Sequence, residues 1–507
     1  MEKNKSKKLT VVALVAFAIL IVGASYAYLT EQIVTGGKMT DINVTSYTTD
    51  VLTFTTGDAI NLEADQTTFG KDKGSVSGAT YARALLTANN KTNNAVEHYY
   101  LYLNIENNTF TYSVQDGKPE LIMTITDKNG NEVKNIEGLT YTEVTDRTNK
   151  KISGYDITTE SGLVTIFNNR EIIAEPKAED KWNITITFVN YEADQNANTG
   201  KALSAKLMIQ KNKFLVDYVK SQFTGVQGEN NLYHHDGTLE NGINDNSYRY
   251  AGASNKVYNY VCFGSNESPC PTDNLYRIIG VFDHEVSENK TEQRVKLIKQ
   301  DWATSDLLGT DGDYSSMILN KMSTYHWNKA TKTNTWSESN LNKINLNTNF
   351  LTNIGKEWAD KIAETTWKVG GNTSRNIEFV IPSVAYQNEI LNPVTTNTTD
   401  GKTEYKAKIG LMYLSDYGFA ADPSAWTTTL FDYNNVTAFW MWRGIYEWTI
   451  SRDAGGSIAA FMMNGTRRDI STNVVDGSEG VRPCFSLLFS TTYLSGSGSA
   501  NDPILIN

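Results

Sequence analysis

The residues best equipped for chemistry lie close together near the end of the chain. Trp440, Trp442, Arg443, Tyr446, Asn464, Arg467, Arg468, Asp476 and Glu479 bring arginines, aromatics and carboxylates into one stretch, and no lysine follows Lys408. Planar guanidinium groups hold carboxylates or sugars in fixed geometry, and tryptophan offers large contact area at small entropic cost. This is recognition chemistry, so these residues form the expected ligand-binding set. Trp448, in the strand-like run Glu447 to Arg452, and Arg482, in Val481-Arg-Pro483, are expected to be framework, in core packing and a buried ion pair.

Other reactive groups are sparse. The histidines (His98, His234, His235, His284, His326) and cysteines (Cys262, Cys270, Cys484) have no spacing that suits zinc, haem or an iron–sulfur cluster, so no metal and no cofactor are expected. In an exported chain Cys262 and Cys270, around Gly264 and Pro269, most simply form a disulfide that staples one loop, with free buried thiols as the alternative. Cys484 sits in the apolar run Val481 to Phe489 and reads as a buried strand residue. Asp311, Asp313 and Asp416 are the carboxylates a hydrolase could pair. Nothing in their spacing selects them, Asp311 and Asp313 read as a solvated turn, and the chain is expected not to be an enzyme.

The elements that position these groups follow from length and pattern. At about 150 residues per domain, 507 residues suggest roughly three folded units. A hydrophobic content of 40% with 11% aromatics supports conventional cores and excludes wholesale disorder. With 57 acidic against 46 basic residues the net charge is −11, which argues against nucleic acid as a partner.

Residues 1–29 read as a signal peptide or membrane anchor. Lys3, Lys5, Lys7 and Lys8 precede the apolar run Leu9 to Gly23, and small residues at Ser25 and Ala27 suit cleavage before Tyr28. Uncleaved, the stretch approaches the length that spans a bilayer. Either way Thr30 onward is expected outside the membrane, at the cell surface or secreted. Residues 30–211 alternate with period two over Asp41 to Thr56, Glu97 to Ile105, Glu120 to Thr126, Gly162 to Phe167 and Trp182 to Tyr191, and Asn129-Gly130 supplies a hairpin turn. An all-β sandwich stalk is the expectation. Residues 212–245 read as a short helix and a polar linker, and 246–507 as an α+β domain that holds every tryptophan except Trp182. There, Asp273 to Phe282 and Val295 to Lys299 suggest a hairpin, Ser339 to Thr365 a helix, and Ile409 to Ala420 a strand.

Two resemblances add to this. The SYAYLT junction resembles camelysin-like exported β proteins of Gram-positive bacteria. The ordered blocks DNSYRYAGA, NYVCFGSNESPCP, DNLYRIIGVF, VKLIK, IGLMYLSDYGFA, EWTISR and GVRPCFSL resemble an uncharacterised domain of exported proteins from low-GC Gram-positive bacteria. The closing VRP strand also resembles the C-type-lectin-like fold of sulfatase-modifying enzymes and of the hypervariable receptors of diversity-generating retroelements. That resemblance implies a ligand surface near residues 440–480. It departs from the calcium-dependent sugar-binding pattern, because Trp327-Asn328 is followed by Lys329, and from formylglycine-generating enzymes, because Cys484 stands alone.

The expected fold is thus multidomain: an N-terminal membrane or signal helix, an all-β sandwich and an α+β C-type-lectin-like domain. The expected function is an exported surface binding protein, adhesin- or receptor-like, whose partner is a glycan or protein on another surface, with the membrane as a further partner if the helix is uncleaved. A surface-fibre subunit and a hypervariable receptor are the alternatives.

Overall fold

The computed structural model describes residues 50–65, 70–88, 95–136, 138–287, 290–319, 322–373, 375, 377–396 and 400–507. The chain divides into two compact units, residues 1–213 and 214–507.

In the first unit, strands β1 (Val51–Thr56), β2 (Ile60–Ala64), β3 (Val76–Thr87), β4 (Ala95–Asn108), β5 (Leu121–Thr126), β6 (Tyr141–Thr145), β7 (Lys151–Asp156), β8 (Gly162–Ala174), β9 (Lys177–Phe188) and β10 (Lys201–Gln210) form two sheets. Their orders are β1-β3-β9-β5-β7-β6 and β2-β10-β4-β8. Alternating burial along β2 and β3 turns Ile60, Leu62, Ala82, Ala84 and Leu86 into a core shared by both sheets. The turn after β5 closes through Gly130, whose φ of 84° is costly for any residue with a Cβ. The part of the Asp41 to Thr56 run before Asp50 lies outside the described residues.

The second unit is built on a seven-stranded sheet. Leu232–His234, Tyr248–Tyr250, Leu275–Ser287, Lys290–Lys299, Cys484–Ser486 and Ile409–Gly410 follow in that order, and Tyr260–Cys262 pairs with Leu275–Ser287. The expected hairpin is present as the antiparallel pair Leu275–Ser287 and Lys290–Lys299. A four-stranded sheet holds Gly371–Asn372, Glu447–Asp453, Ala459–Met463 and Ile470–Val474. The helix and polar stretch expected to link domains belong to this unit: Leu215, Val216 and Val219 enter its core, and Leu232–His234 pairs with Tyr248–Tyr250.

The expected fold class is corrected. Strands take 41% of the described structure and helices 16%, so the chain is mostly β-sheet, spread over several sheets. Among the described residues no helix is long and apolar enough to cross a membrane. The segment read as a signal or anchor, with Ala27 and Tyr28, lies outside the described residues.

The helix expected over Ser339 to Thr365 is present but shorter: Leu341–Phe350 runs directly into Leu351–Asn353, Lys356–Ala359 adds one further turn, and Thr365–Lys368 is a strand. Asparagines on the first segment reach out to backbone carbonyls of other segments: Asn345 donates to Leu308 (2.8 Å) and Asn347 to Ile409 (2.9 Å). Gly355, at φ 83°, ends the run. Ile409 to Ala420 is a strand only at Ile409–Gly410 and then becomes the helix Leu414–Phe419, because buried carboxylates take its first N–H groups. Glu389 accepts from Leu414 and Ser415 (3.1 and 3.2 Å), and Asp416 accepts from the Tyr413 N–H (3.1 Å).

Candidate functional site

The residues expected to bind ligand are largely occupied with their own neighbours. Trp440 is fully buried, donates from Nε1 to the Tyr250 carbonyl (2.9 Å) and lies under the Arg277 guanidinium. Arg443 pairs with Asp301 (2.7 Å), and the Tyr446 hydroxyl meets that of Thr466 (3.2 Å). Asn464 caps the following turn, accepting from the Thr466 and Arg467 amides (3.0 and 3.2 Å). Arg468 donates to the carbonyls of Val436 and Asn434 and stacks on Trp442 at 5.2 Å. Arg467, with 61% of its side chain exposed, reaches Asp469 (3.0 Å). Asp476 pairs with Lys332 (3.0 Å), while Glu479 is buried and accepts from Asn473 (2.7 Å). The geometry therefore joins Trp442 to Arg468 but spends most of the polar groups of this set internally.

Trp448 and Arg482 lie in the core. Trp448 donates to the Tyr325 carbonyl (2.8 Å), and Arg482 forms a two-point pair with Glu447 (2.6 and 2.8 Å), both residues at most 2% exposed. Cys262 and Cys270 form the disulfide, with Cα atoms 5.9 Å apart, and Cys484 is a free, buried thiol. Asp313, read as solvated, is 1% exposed and accepts from the amides of Lys329 and Leu341 (3.1 and 3.0 Å), which makes it a structural cap.

A concave site lies elsewhere in the second unit. A cavity of about 530 Å³ is lined by groups from several elements of that unit. Strand register sets its floor: Arg249 is opposite Gly280, Gly280 opposite Lys296 and Lys296 opposite Ser486. Alternation along the hairpin brings Phe282, His284, Arg294 and Lys296 to the same lining. Gly280 is required here, since a Cβ would come within 2.1 Å of the Tyr248 carbonyl oxygen. Walls come from Trp367 on Thr365–Lys368, from Tyr386, and from Tyr413 at the start of the helix Leu414–Phe419.

The electrostatics are unusual because the cations are buried. Arg249, Lys296 and Arg294 are 2%, 6% and 8% exposed. Asp416 bridges the first two, with Oδ2 at 2.5 Å from Lys296 Nζ and Oδ1 at 3.5 Å from Arg249 Nη1. Asp245 takes the other side of the Arg249 fork (2.8 Å), and Glu292 pairs with Arg294 (2.7 Å). Burial raises the Asp245 carboxyl, but Arg249 beside it and the Ser247 hydroxyl outweigh this and hold it below the usual range. Burial, together with Arg294 and Lys296, pushes His284 down to about 3, so the ring is neutral. Burial and the neighbouring Asp245 push Tyr386 up to about 12. Rings surround both cations: Phe282 lies 4.6 Å from the Arg249 guanidinium, and Tyr413 and Trp367 lie 4.6 and 5.4 Å from Lys296 Nζ.

Sequence reasoning missed Arg249, Arg294, Lys296, Trp367, Tyr386 and Tyr413, and weighed Asp416 only as a hydrolase carboxylate. The available signal was a charged residue inside an apolar strand, as in Val295-Lys-Leu-Ile298 and Tyr248-Arg-Tyr250. Among the described residues no three His, Cys, Asp or Glu side chains converge as a metal site. No protein-family model and no curated protein matches the chain.

Proposed function

We propose that this chain is an exported surface binding protein whose second unit holds a glycan ligand in the cavity around Arg249 and Lys296. The observation that carries this reading is the cavity itself: its volume suits a small ligand, and its lining pairs aromatic walls with buried, orientationally fixed charged groups. Buried charge is costly unless paired, and here the pairs Lys296–Asp416 and Arg249–Asp245 hold their donors in place before any ligand arrives. Export is supported by the lysine-led apolar segment at residues 1–29 and by the Cys262–Cys270 disulfide, a bond that persists in oxidising compartments. Recognition is supported by Asp416 and Asp245, the buried carboxylates of the lining, both being engaged by cations.

A glycan and surface-protein binding screen of the full chain, run beside a folded Thr366→Trp variant, tests this. Thr366 lines the cavity, so an indole there fills it. Glycan binding by the parent that disappears in the variant supports the reading. Glycan binding that survives in the variant, or hits among proteins alone, contradicts it.

A further inference from the structure

The polar atoms on the cavity floor are unbalanced in one direction. Arg249 Nη1 is fully buried and makes no hydrogen bond, and its nearest carboxylate oxygen, on Asp416, is 3.5 Å away. The Lys296 ammonium carries three donors, and among the described residues its one hydrogen bond goes to Asp416 Oδ2. Arg294 uses Nε on Glu292 and Nη1 on the Glu364 carbonyl, which leaves Nη2 without a hydrogen bond among the described residues. Acceptors are already committed: Asp416 Oδ2 takes both Lys296 and the Tyr413 amide. Asp416 thus serves both Arg249 and Lys296, with Asp245 and Glu292 on the far sides of Arg249 and Arg294, and the unfilled positions on the floor are donors: Arg249 Nη1, Arg294 Nη2 and two hydrogens of Lys296 Nζ.

We propose that this floor is a carboxylate subsite and that the glycan bound in the cavity presents an acidic sugar to it. This rests on the cavity being the recognition site. A carboxylate supplies acceptor oxygens for these unfilled donors, and it supplies them in the planar form that a guanidinium fork matches. Burial chiefly, with Arg294 and Lys296 adding to it, keeps the neighbouring His284 ring neutral. The rest of the cavity favours a sugar body over a peptide end. Its aliphatic lining is limited to Val286 and Ile390, while Thr366, Glu364, Glu404 and Lys406 provide donors and acceptors for hydroxyl groups.

The test titrates the full chain with a trisaccharide ending in glucuronate and with the same trisaccharide converted to its carboxamide. Because this comparison changes the ligand and not the protein, it does not depend on a variant folding. The acid is expected to bind about tenfold tighter than the amide or more, and to lose more affinity as salt is added. Arg294→Gln, matched to the parent by thermal unfolding, narrows that gap. Equal binding of acid and amide, with both lost in Thr366→Trp, overturns the carboxylate subsite and leaves the cavity as the recognition site. Binding untouched by Thr366→Trp overturns both readings. No binding of either trisaccharide overturns the acidic-sugar assignment, and the surface screen then decides the cavity separately.

Discussion

Asp416 Oδ2 lies 2.5 Å from Lys296 Nζ, joining a helix to a strand 120 positions earlier in the chain. Both residues are buried, and the same carboxylate faces Arg249. Removing one partner of a buried pair leaves the other charge uncompensated, at a cost of about 3 kcal/mol or more. Asp416→Asn keeps the shape and removes the charge, so urea unfolding should show a loss of that size. A change below about 1 kcal/mol would mean that Asp416 does not hold the two cations.

The pH dependence of stability has two opposed parts. His235 and His284 are pushed down to about 3, mainly by burial, against 6.5 when exposed. Between those values the unfolded chain takes up protons that the folded chain refuses, so stability falls as pH drops from 6.5 toward 3. Glu389 behaves in the opposite sense: burial pushes it up to about 7 from 4.5, so the folded chain keeps a proton that the unfolded chain releases. Its contribution is lost as pH rises from 4.5 to 7, at up to roughly 1.4 kcal/mol per pH unit. Unfolding free energies of the parent and Glu389→Gln across this window should diverge, with the parent losing more as pH rises. Parallel curves would contradict the assignment.

The Cys262–Cys270 bridge closes a short loop, with a sequence separation of 8. Cross-linking so short a loop contributes about 2.5 kcal/mol in the chain-entropy picture. Replacing both cysteines by alanine should lower stability by that amount, and the parent in reductant should approach the variant. No difference between oxidised and reduced protein would show that the bridge adds nothing.

How far the sequence reveals this arrangement depends on whether a group is positioned locally or by distant segments. The hairpin of Leu275–Ser287 and Lys290–Lys299 is legible because period-two alternation is a local property. The helix expected over Ser339 to Thr365 is legible in its first half, where the apolar spacing places Leu341 to Asn353 in a helix, while Gly355 at φ 83° and the pairing of Thr365–Lys368 with Glu404–Ala407 end it early. The cavity is illegible because Arg249, Lys296, Trp367 and Asp416 meet only through strand register and the docking of one short helix. At residues 440–479 the opposite holds. Recognition-type residues are plain in the sequence, but Arg443 and Arg468 are already satisfied by Asp301 and by the Val436 and Asn434 carbonyls.

Gly280 tests the register directly. A methyl group there would meet backbone at 2.1 Å, which a side-chain rotation cannot relieve. Gly280→Ala should therefore cost about 2 kcal/mol or more and displace Arg249 relative to Lys296. Thermal unfolding and ligand titration on the same sample check both effects, and an unchanged variant would contradict the register.

That the second unit takes its ligand between Arg249 and Lys296, and not on the face of residues 440–479, is tested most directly by one titration series. The strongest glycan from the surface screen is titrated into the parent, Thr366→Trp and the double variant Trp442→Ala, Arg467→Ala, each verified as folded. The cavity predicts that Thr366→Trp abolishes binding and that the double variant keeps the parent affinity within about threefold. Binding preserved in Thr366→Trp and lost in the double variant would contradict it.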